Sequence, residues 1–277
     1  MGKIFDALEK SDNTPKPVHV SHIIDAVEKF EKPDIAPELG IPVINNNKLD
    51  KNLITCLNPD SLEAEMFKIL RSNILFPGSG KVPRTIMVTS AVPGEGKSFI
   101  ASNLSISIAQ GIEEHVLLMD CDMRKASIQK IFGLSPAKGL SDYLAKPQSI
   151  SKLLKKTEIE KLTLFPCGKI PSNPAELLSS RQMIDLLEEV KTRYNDRYII
   201  IDAPPMQLTA ETKAIYQQVD GIIFVVKAGS TPRKLIEELV GKLDREKILG
   251  VVLNWFNVKS ASYYGYKKYQ NYYSTKG

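Results

Sequence analysis

A glycine-containing loop between an apolar strand and an apolar helix is the feature that most limits how this chain can fold. Residues 91–98 read Ala-Val-Pro-Gly-Glu-Gly-Lys-Ser, after the apolar run 86–88 and before the apolar segment 99–108. In this order, the loop N–H groups and the helix N-terminus can surround phosphate groups. Ala91 replaces the usual first glycine. The context still predicts a phosphate-binding loop rather than a purely structural glycine turn.

Short apolar runs alternate with helical patterns beyond residue 60. A helix is predicted over 61–75, with Ser61 at its start. Further runs are predicted as strands at 85–88, 116–119, 162–165, 198–201, 221–226 and 248–253, and further helices at 99–110, 183–194 and 233–243. Continuous apolar strands that alternate with helices indicate a sheet buried on both faces. The predicted fold is doubly wound α/β, with a mostly parallel sheet and helices on both faces.

Three regions are predicted along the chain. Residues 1–57 hold scattered prolines and an asparagine run and are expected to form a flexible leader, although two short amphipathic helices for a partner are an alternative. Residues 58–257 form the folded domain, and 258–277 form a basic, tyrosine-rich tail. No apolar stretch approaches the ~20 residues of a membrane helix, and no secretion signal is visible, so a cytoplasmic protein is expected.

The amino-acid composition excludes several classes of protein but does not identify a ligand. Hydrophobic residues make up 43% and charged residues 25%, which argues against wholesale disorder. The three cysteines are far apart and predict neither a zinc site nor a disulfide framework. The net charge of +5 would permit an acidic ligand, an anionic lipid or a nucleic acid.

Carboxylates follow two of the predicted strands. Asp120 and Asp122 end the run that begins at residue 116, and Asp202 ends the run that begins at 198, ahead of Ala-Pro-Pro. The carboxyl ends of parallel strands line the ligand crevice, so we expect these side chains near the loop, where Lys97 would reach phosphates and Ser98 would bind Mg²⁺. Each aspartate alone could instead be a helix cap.

Tyrosines are concentrated at the C-terminus. Six of the ten tyrosines lie in the last fifteen residues, at Tyr263, Tyr264, Tyr266, Tyr269, Tyr272 and Tyr273. Such a segment cannot bury a core, so its hydroxyls are available as phosphoacceptors. Stacking on single-stranded nucleic acid and insertion at a membrane interface are the competing interpretations.

Together the loop, the two aspartate motifs and the tail resemble the bacterial tyrosine kinases of exopolysaccharide synthesis, relatives of the deviant P-loop ATPases that position septa and partition DNA. The resemblance covers about residues 58–277, and residues 1–10 resemble the autokinases of exosortase-type polysaccharide loci. It implies a tyrosine kinase that uses ATP and Mg²⁺.

The resemblance also implies residue roles. Catalysis is assigned to Lys97, Asp120, Asp122 and Asp202, and the metal to Ser98, Asp120 and Asp202. Nucleotide contacts are assigned to Gly94, Glu95, Gly96, Lys97, Ser98, Phe99 and Asn254. Asp120 is the expected acceptor of the tyrosine proton, although the residues alone leave open which aspartate is the base.

Two details bear on the nucleotide and on the subfamily. Asn254-Trp255-Phe256-Asn257 lacks the lysine and aspartate of a guanine site, which favours ATP. Val92 stands where partition ATPases carry a signature lysine. That difference disfavours the alternative function, a non-kinase ATPase switch of the partition or septum-positioning type.

The helix over 61–75 resembles the family's Glu-x-x-Arg-x-x-Arg element, which joins subunits into a ring. Glu65, Lys68 and Arg71 are the corresponding residues, with Lys68 in place of the first arginine. An ordinary solvated face is the alternative.

The expected protein is an autokinase that modifies its tail mainly in trans, binds no nucleic acid and regulates exopolysaccharide polymerisation or export. A separate membrane-embedded co-polymerase would activate it and hold it at the inner membrane face.

Overall fold

The computed structural model describes residues 49–78, 80–194, 196–206 and 210–256, and a seven-stranded sheet runs through this part of the chain. The strands are β1 Thr85–Ser90, β2 His115–Asp120, β3 Lys155–Lys156, β4 Leu162–Phe165, β5 Arg197–Asp202, β6 Gly221–Lys227 and β7 Ile248–Asn254. Their order is β3-β4-β2-β5-β1-β6-β7, and every neighbouring pair is parallel except β3 and β4. The predicted mostly parallel α/β sheet is confirmed.

Helices cover both faces of the sheet. They are α1 Ile54–Leu57, α2 Leu62–Leu75, α3 Lys97–Ala109, α4 Ile128–Ile131, α5 Leu140–Ala145, α6 Pro174–Leu178, α7 Arg181–Arg193, α8 Ala210–Gln218 and α9 Arg233–Val240. The start of α2 is as predicted, because Ser61 Oγ accepts a hydrogen bond from the N–H of Ala64 at 3.2 Å. Within the described ranges, no helix has both the length and the apolar character needed to cross a bilayer.

Alternation along the strands divides the core into two sides. In β2, Leu117 and Met119 point to a cluster that includes residues of α5, α6, α7 and α8. Val116 and Leu118 point to the opposite cluster, which includes residues of α2, α3 and α4. Because both faces of the central strands β1, β2, β5 and β6 are covered, these strands are apolar at almost every position, and their polar side chains lie at or next to the strand ends.

The domain begins earlier than the sequence predicts. Leu53 is only 1% exposed, and the N–H of Thr55 donates to Asn103 Oδ1 in α3 at 3.0 Å. Asn103 Nδ2 in turn donates to the carbonyl of Asn52 at 3.0 Å. Residues 49–57 were assigned to the flexible leader, but they pack against α3, so the folded part starts at or before residue 49. Residues 1–48 lie outside the described part.

We expect Asn103→Ala to lower the free energy of unfolding by about 2 kcal/mol, because it leaves the buried N–H of Thr55 and the partly buried carbonyl of Asn52 without their side-chain partner. Urea denaturation measures the change. Asn73→Ala, on the exposed side of α2, is the matched control and should have little effect. Equal free energies for both variants would contradict the role given to Asn103.

Candidate active site

The predicted phosphate loop joins β1 to the N-terminus of α3 and needs two of its glycines. Gly94 and Gly96 have φ angles of +86° and +92°, which side chains other than glycine rarely adopt. A Cβ atom on Gly96 would also lie 2.1 Å from Asn254 Nδ2. The loop therefore turns sharply and brings its backbone to the start of a thirteen-residue helix, whose free N–H groups favour an anion.

Glu95 ties the loop to the protein. Its side chain is almost completely buried, and its carboxylate accepts hydrogen bonds from the N–H of Val92 at 2.8 Å, the N–H of Lys227 at 3.1 Å and the hydroxyl of Thr231. The sequence analysis placed Glu95 among the nucleotide contacts. In the structure its carboxylate is engaged by the protein, so only its backbone is left for a phosphate.

Lys97 forms a buried ion pair with Asp122, two residues after the end of β2. Its Nζ lies 2.6 Å from Asp122 Oδ2, and both side chains are less than a tenth exposed. Burial by itself lowers the pKa of Lys97, but the carboxylates of Asp202 and Asp122 outweigh that effect and raise it. The lysine is therefore cationic at neutral pH and faces the aspartates that were predicted to lie near it.

Asp120 and Asp202 are neighbours across two parallel strands, in direct register at the ends of β2 and β5. Asp120 Oδ2 accepts hydrogen bonds from the N–H groups of Ser127 and Ile128 at 3.2 and 3.0 Å. Its Oδ1, and both carboxylate oxygens of Asp202, are buried without a hydrogen bond of ordinary geometry to the described residues. Unpaired buried carboxylate oxygens are costly and indicate a site for a cation.

The pKa values at this edge are displaced in the same direction. Burial, reinforced by the charge of Asp202, raises the pKa of Asp120 well above its usual range. Burial also raises the pKa of Asp202 to about 6, although Lys97 and the Ser98 hydroxyl oppose the rise. Two carboxyl groups this close favour keeping a proton until a positive charge arrives.

These residues fit a magnesium nucleotide. The described residues contain no cluster of three or more His, Cys, Asp or Glu side chains that could hold a metal ion by themselves. Mg²⁺ is usually held by one or two carboxylates together with phosphates and water. The unpaired oxygens of Asp120 and Asp202, beside a loop suited to phosphate, match that requirement.

One buried acid was missed by the sequence analysis. Glu211, at the start of α8, is fully buried, and its Oε1 lies 3.0 Å from both Nε and Nη2 of Arg124. This pair holds the segment after β2 against α8. Acids are common in the first turn of a helix, so nothing in the sequence distinguished Glu211 from an ordinary one.

Two of the residues predicted to contact the nucleotide, Phe99 and Asn254, also have partners within the protein. The ring of Phe99 packs edge-on against Phe67 of α2, with centroids 5.8 Å apart. Asn254 Nδ2 donates to the carbonyl of Glu95 at 2.9 Å, and its Oδ1 accepts from the N–H of Trp255 at 2.9 Å. Asn254 thus lies at the phosphate loop, where its amide joins the loop to the end of β7, and its contact with the nucleotide stays a prediction.

The proposed interface residues of α2 have contacts within the chain. Lys68 Nζ lies 3.1 Å from Glu65 on the same helix. Arg71 Nη1 donates to the carbonyl of Ser107 at 2.7 Å and so caps the last turn of α3. Part of this motif therefore stabilises the domain itself, and its role between subunits remains a prediction. The six tail tyrosines lie outside the described residues.

Comparisons with known proteins agree on the class of fold and chemistry. A family model described as an AAA domain matches residues 83–246. Tyrosine-protein kinase YwqD of Bacillus subtilis (strain 168) is 33% identical over 222 residues, which are 79% of this chain and 92% of that protein. The kinase domain of the Escherichia coli tyrosine kinase ETK superposes with a TM-score of 0.69 at 26% identity, covering 81% of this chain and 94% of that domain.

A more distant likeness concerns the fold alone. The septum site-determining protein MinD of Pyrococcus horikoshii, solved with Mg-ADP, superposes with a TM-score of 0.53 at 22% identity. It covers 61% of this chain and 69% of that one.

We expect Asp202→Asn to raise the stability of the nucleotide-free protein by on the order of 2 kcal/mol above neutral pH. The folded-state pKa of Asp202, about 6, lies above its ordinary value of 3.8, so its ionised form opposes folding. The gain should shrink as the pH falls through 6 and disappear below about pH 4, where the carboxyl is neutral in both states. Thermal unfolding across this pH range measures it.

Asp185→Asn is the control, because that carboxylate is exposed and pairs with Arg181 on the surface of α7. It should change stability little at any pH in the series. A gain for Asp202→Asn that is independent of pH would mean that its carboxylate is not the source of the cost.

Proposed function

The chain belongs to the bacterial tyrosine-protein kinase family, and we propose that it is an ATP- and Mg²⁺-dependent autokinase that phosphorylates tyrosines of its own C-terminal segment, mainly in neighbouring subunits. The observation that carries the proposal is the meeting of one buried lysine and three buried carboxylates beside the phosphate loop. Lys97 pairs with Asp122, while Asp120 and Asp202 lie in register with unpaired oxygens.

In this proposal the phosphate groups lie on the backbone of residues 94–98, at the N-terminus of α3. Lys97 stabilises the negative charge that moves during phosphoryl transfer, and Asp122 keeps its ammonium group in place. Ser98 is the first-turn hydroxyl available to the metal, together with Asp120 and Asp202. Bound Mg²⁺ would neutralise phosphate charge there.

A tyrosine hydroxyl needs a proton acceptor in the same crevice. Asp120 is the proposed acceptor, because its Oδ2 is occupied by two backbone N–H groups while its Oδ1 is not. The two hydrogen bonds keep the carboxylate in one orientation, and its raised pKa suits a general base. Phosphoryl transfer depends mainly on the positions of the reacting groups, and a carboxylate held at the end of a strand has a fixed position.

The position at which the tail begins supports the proposed transfer between subunits. The last described residue, Phe256, lies two residues beyond Asn254, which ends β7 and is bonded to the phosphate loop. A segment attached at the rim of its own crevice has little freedom to turn a hydroxyl in line with its own γ-phosphate. A neighbouring crevice removes that constraint. Glu65, Lys68 and Arg71 of α2 are the proposed contacts in a homo-oligomeric ring.

The proposed cellular role is regulation of exopolysaccharide polymerisation or export. A separate membrane-embedded co-polymerase would activate the kinase and keep it at the inner face of the membrane. Addition of several phosphates, each carrying about −1.5 to −2 charges, would turn the basic tail acidic and favour separation of the subunits. The non-kinase ATPase switch is the weaker alternative, since the likeness to MinD extends only to the fold.

We expect Lys97→Met and Lys97→Arg to abolish phosphotyrosine in the expressed protein. Met removes the cation that stabilises the transferring phosphoryl group, whereas Arg keeps the charge but not the compact ammonium geometry. Intact-mass spectrometry with and without phosphatase measures the modification. Because Lys97 is buried, thermal unfolding must show that each variant is folded. Lys242→Met, at an exposed position just beyond the C-terminal end of α9, is the control and should keep its phosphotyrosine; undiminished modification of a folded Lys97→Met chain refutes the kinase site.

Transfer between subunits is tested by mixing two chains. One carries Lys97→Met and an intact tail, and the other is active but truncated before Tyr263. We expect labelled phosphate to appear on the inactive chain, at a rate that rises with protein concentration, because the acceptor and the site are on different molecules. If only unmixed full-length protein is labelled, and its rate is independent of concentration, transfer within one subunit is the correct mechanism.

A further inference from the structure

Trp255 has an unusual conformation immediately after β7. It is the single tryptophan of the chain, and its side chain is 68% exposed. Among the described residues it is also the only residue other than glycine with a positive φ angle, at +60°. A bulky residue adopts this conformation only where its surroundings impose it, and such positions cluster at functional sites.

The positive φ angle of Trp255 interrupts the side-chain alternation of β7. In a regular strand, Trp255 would lie on the same face as Val251 and Leu253. Instead, its N–H donates to Asn254 Oδ1 at 2.9 Å, and Asn254 Nδ2 is bonded to the loop carbonyl of Glu95. The side chain of Asn254 thus holds the turn at Trp255 and also fixes the distance between that turn and the phosphate loop.

The ring consequently lies next to the loop. The position that a Cβ atom would occupy on Gly96 is 3.8 Å from Trp255 Nε1. On one side of the ring, Lys227 Nζ is 5.3 Å from the ring centroid, within the range of a cation–π contact. An exposed aromatic face beside a phosphate site, with a cation behind it, offers what a flat heteroaromatic ring requires for stacking.

We propose that the indole of Trp255 is the platform on which the purine base of the nucleotide stacks. This inference rests on the proposed function, since it presumes that the loop binds ATP. Lys227 covers one face of the indole and leaves the other to the base. Asn254, one of the nucleotide contacts assigned in the sequence analysis, then acts chiefly by holding Trp255 and the loop together, and stacking supplies affinity for the base.

The position of the ring favours this role over that of a protein-docking residue. Val251 and Leu253 are 53% and 51% exposed and form an apolar strip along β7. If that strip bound another protein, a tryptophan that continued the strand alternation would add apolar area to it. Trp255 breaks the alternation at an unfavourable φ angle and contacts the loop region instead.

The test uses the full-length chain and three variants. Trp255→Ala removes the platform, and Trp255→Phe keeps a smaller aromatic ring. Phe76→Ala removes another exposed aromatic ring, 75% accessible, just beyond the C-terminal end of α2, and is the matched control. Isothermal titration calorimetry measures the Kd for ATP and for tripolyphosphate, a base-free ligand, both with Mg²⁺. Selective excitation of tryptophan reports on residue 255 alone, because the chain has no other.

We expect Trp255→Ala to raise the Kd for ATP about tenfold or more, as loss of one stacked base does elsewhere. Trp255→Phe should have a smaller effect and Phe76→Ala none, while the Kd for tripolyphosphate stays unchanged in all three. ATP should quench the tryptophan emission of the wild-type protein, and tripolyphosphate should not.

Each contrary result has a distinct meaning. If the wild-type protein binds ATP but Trp255→Ala binds it equally well, or if bound ATP leaves the emission unchanged, this inference is wrong and the proposed function stands. An equal loss of affinity for tripolyphosphate would show that the ring supports the phosphate loop rather than the base, which also overturns the inference. If the wild-type protein does not bind ATP at all, the proposed function fails and this inference fails with it.

Discussion

The ion pair between Lys97 and Asp122 sets the charge balance on which the rest of the site depends. Three carboxylates lie at the carboxyl edge of one sheet, and burial there would be strongly unfavourable without a cation among them. Lys97 compensates one carboxylate directly and lowers the pKa of Asp202, but the pKa values of Asp202 and Asp120 are still raised. The negative charge of the site is therefore not fully compensated by Lys97, and this is the physical basis for binding a metal ion accompanied by phosphates.

A second constraint keeps the loop in one shape. Glu95 is bonded through its carboxylate to the loop itself and to the connection between β6 and α9, and through its carbonyl to Asn254 of β7. The glycines on either side make the turn possible, but this network of hydrogen bonds selects it among the turns that glycine permits. Because the same network ends at Trp255, the phosphate end and the proposed base end of the site are parts of one rigid unit.

Local patterns predicted the frame of the molecule well and the partners of individual side chains poorly. The strands that carry Asp120 and Asp202, the helix that starts after Ser61 and the loop before α3 all follow from apolar periodicity and capping residues close in sequence. Residues 49–57 were misjudged because they are short and weakly apolar, and what orders them is Asn103, which a local pattern cannot connect to them. Glu95 and Phe99 were assigned to the nucleotide on the basis of the phosphate-loop motif. That motif is also a local pattern, so it does not indicate which distant residues their side chains contact.

By itself the sequence determined that this chain forms a parallel sheet with a phosphate loop and carboxylates at the same edge, since each of these is encoded within a few consecutive residues. Only the tertiary structure decided that Glu95 serves the loop, that Glu211 holds Arg124, and that Trp255 turns toward Gly96. Apart from the bond between Glu95 and Val92, those contacts join residues 87 to 159 positions apart, and they depend on how strands and helices stack. The physical reason is that backbone conformation responds to near neighbours, whereas the burial and pairing of a polar side chain are settled only when distant segments meet.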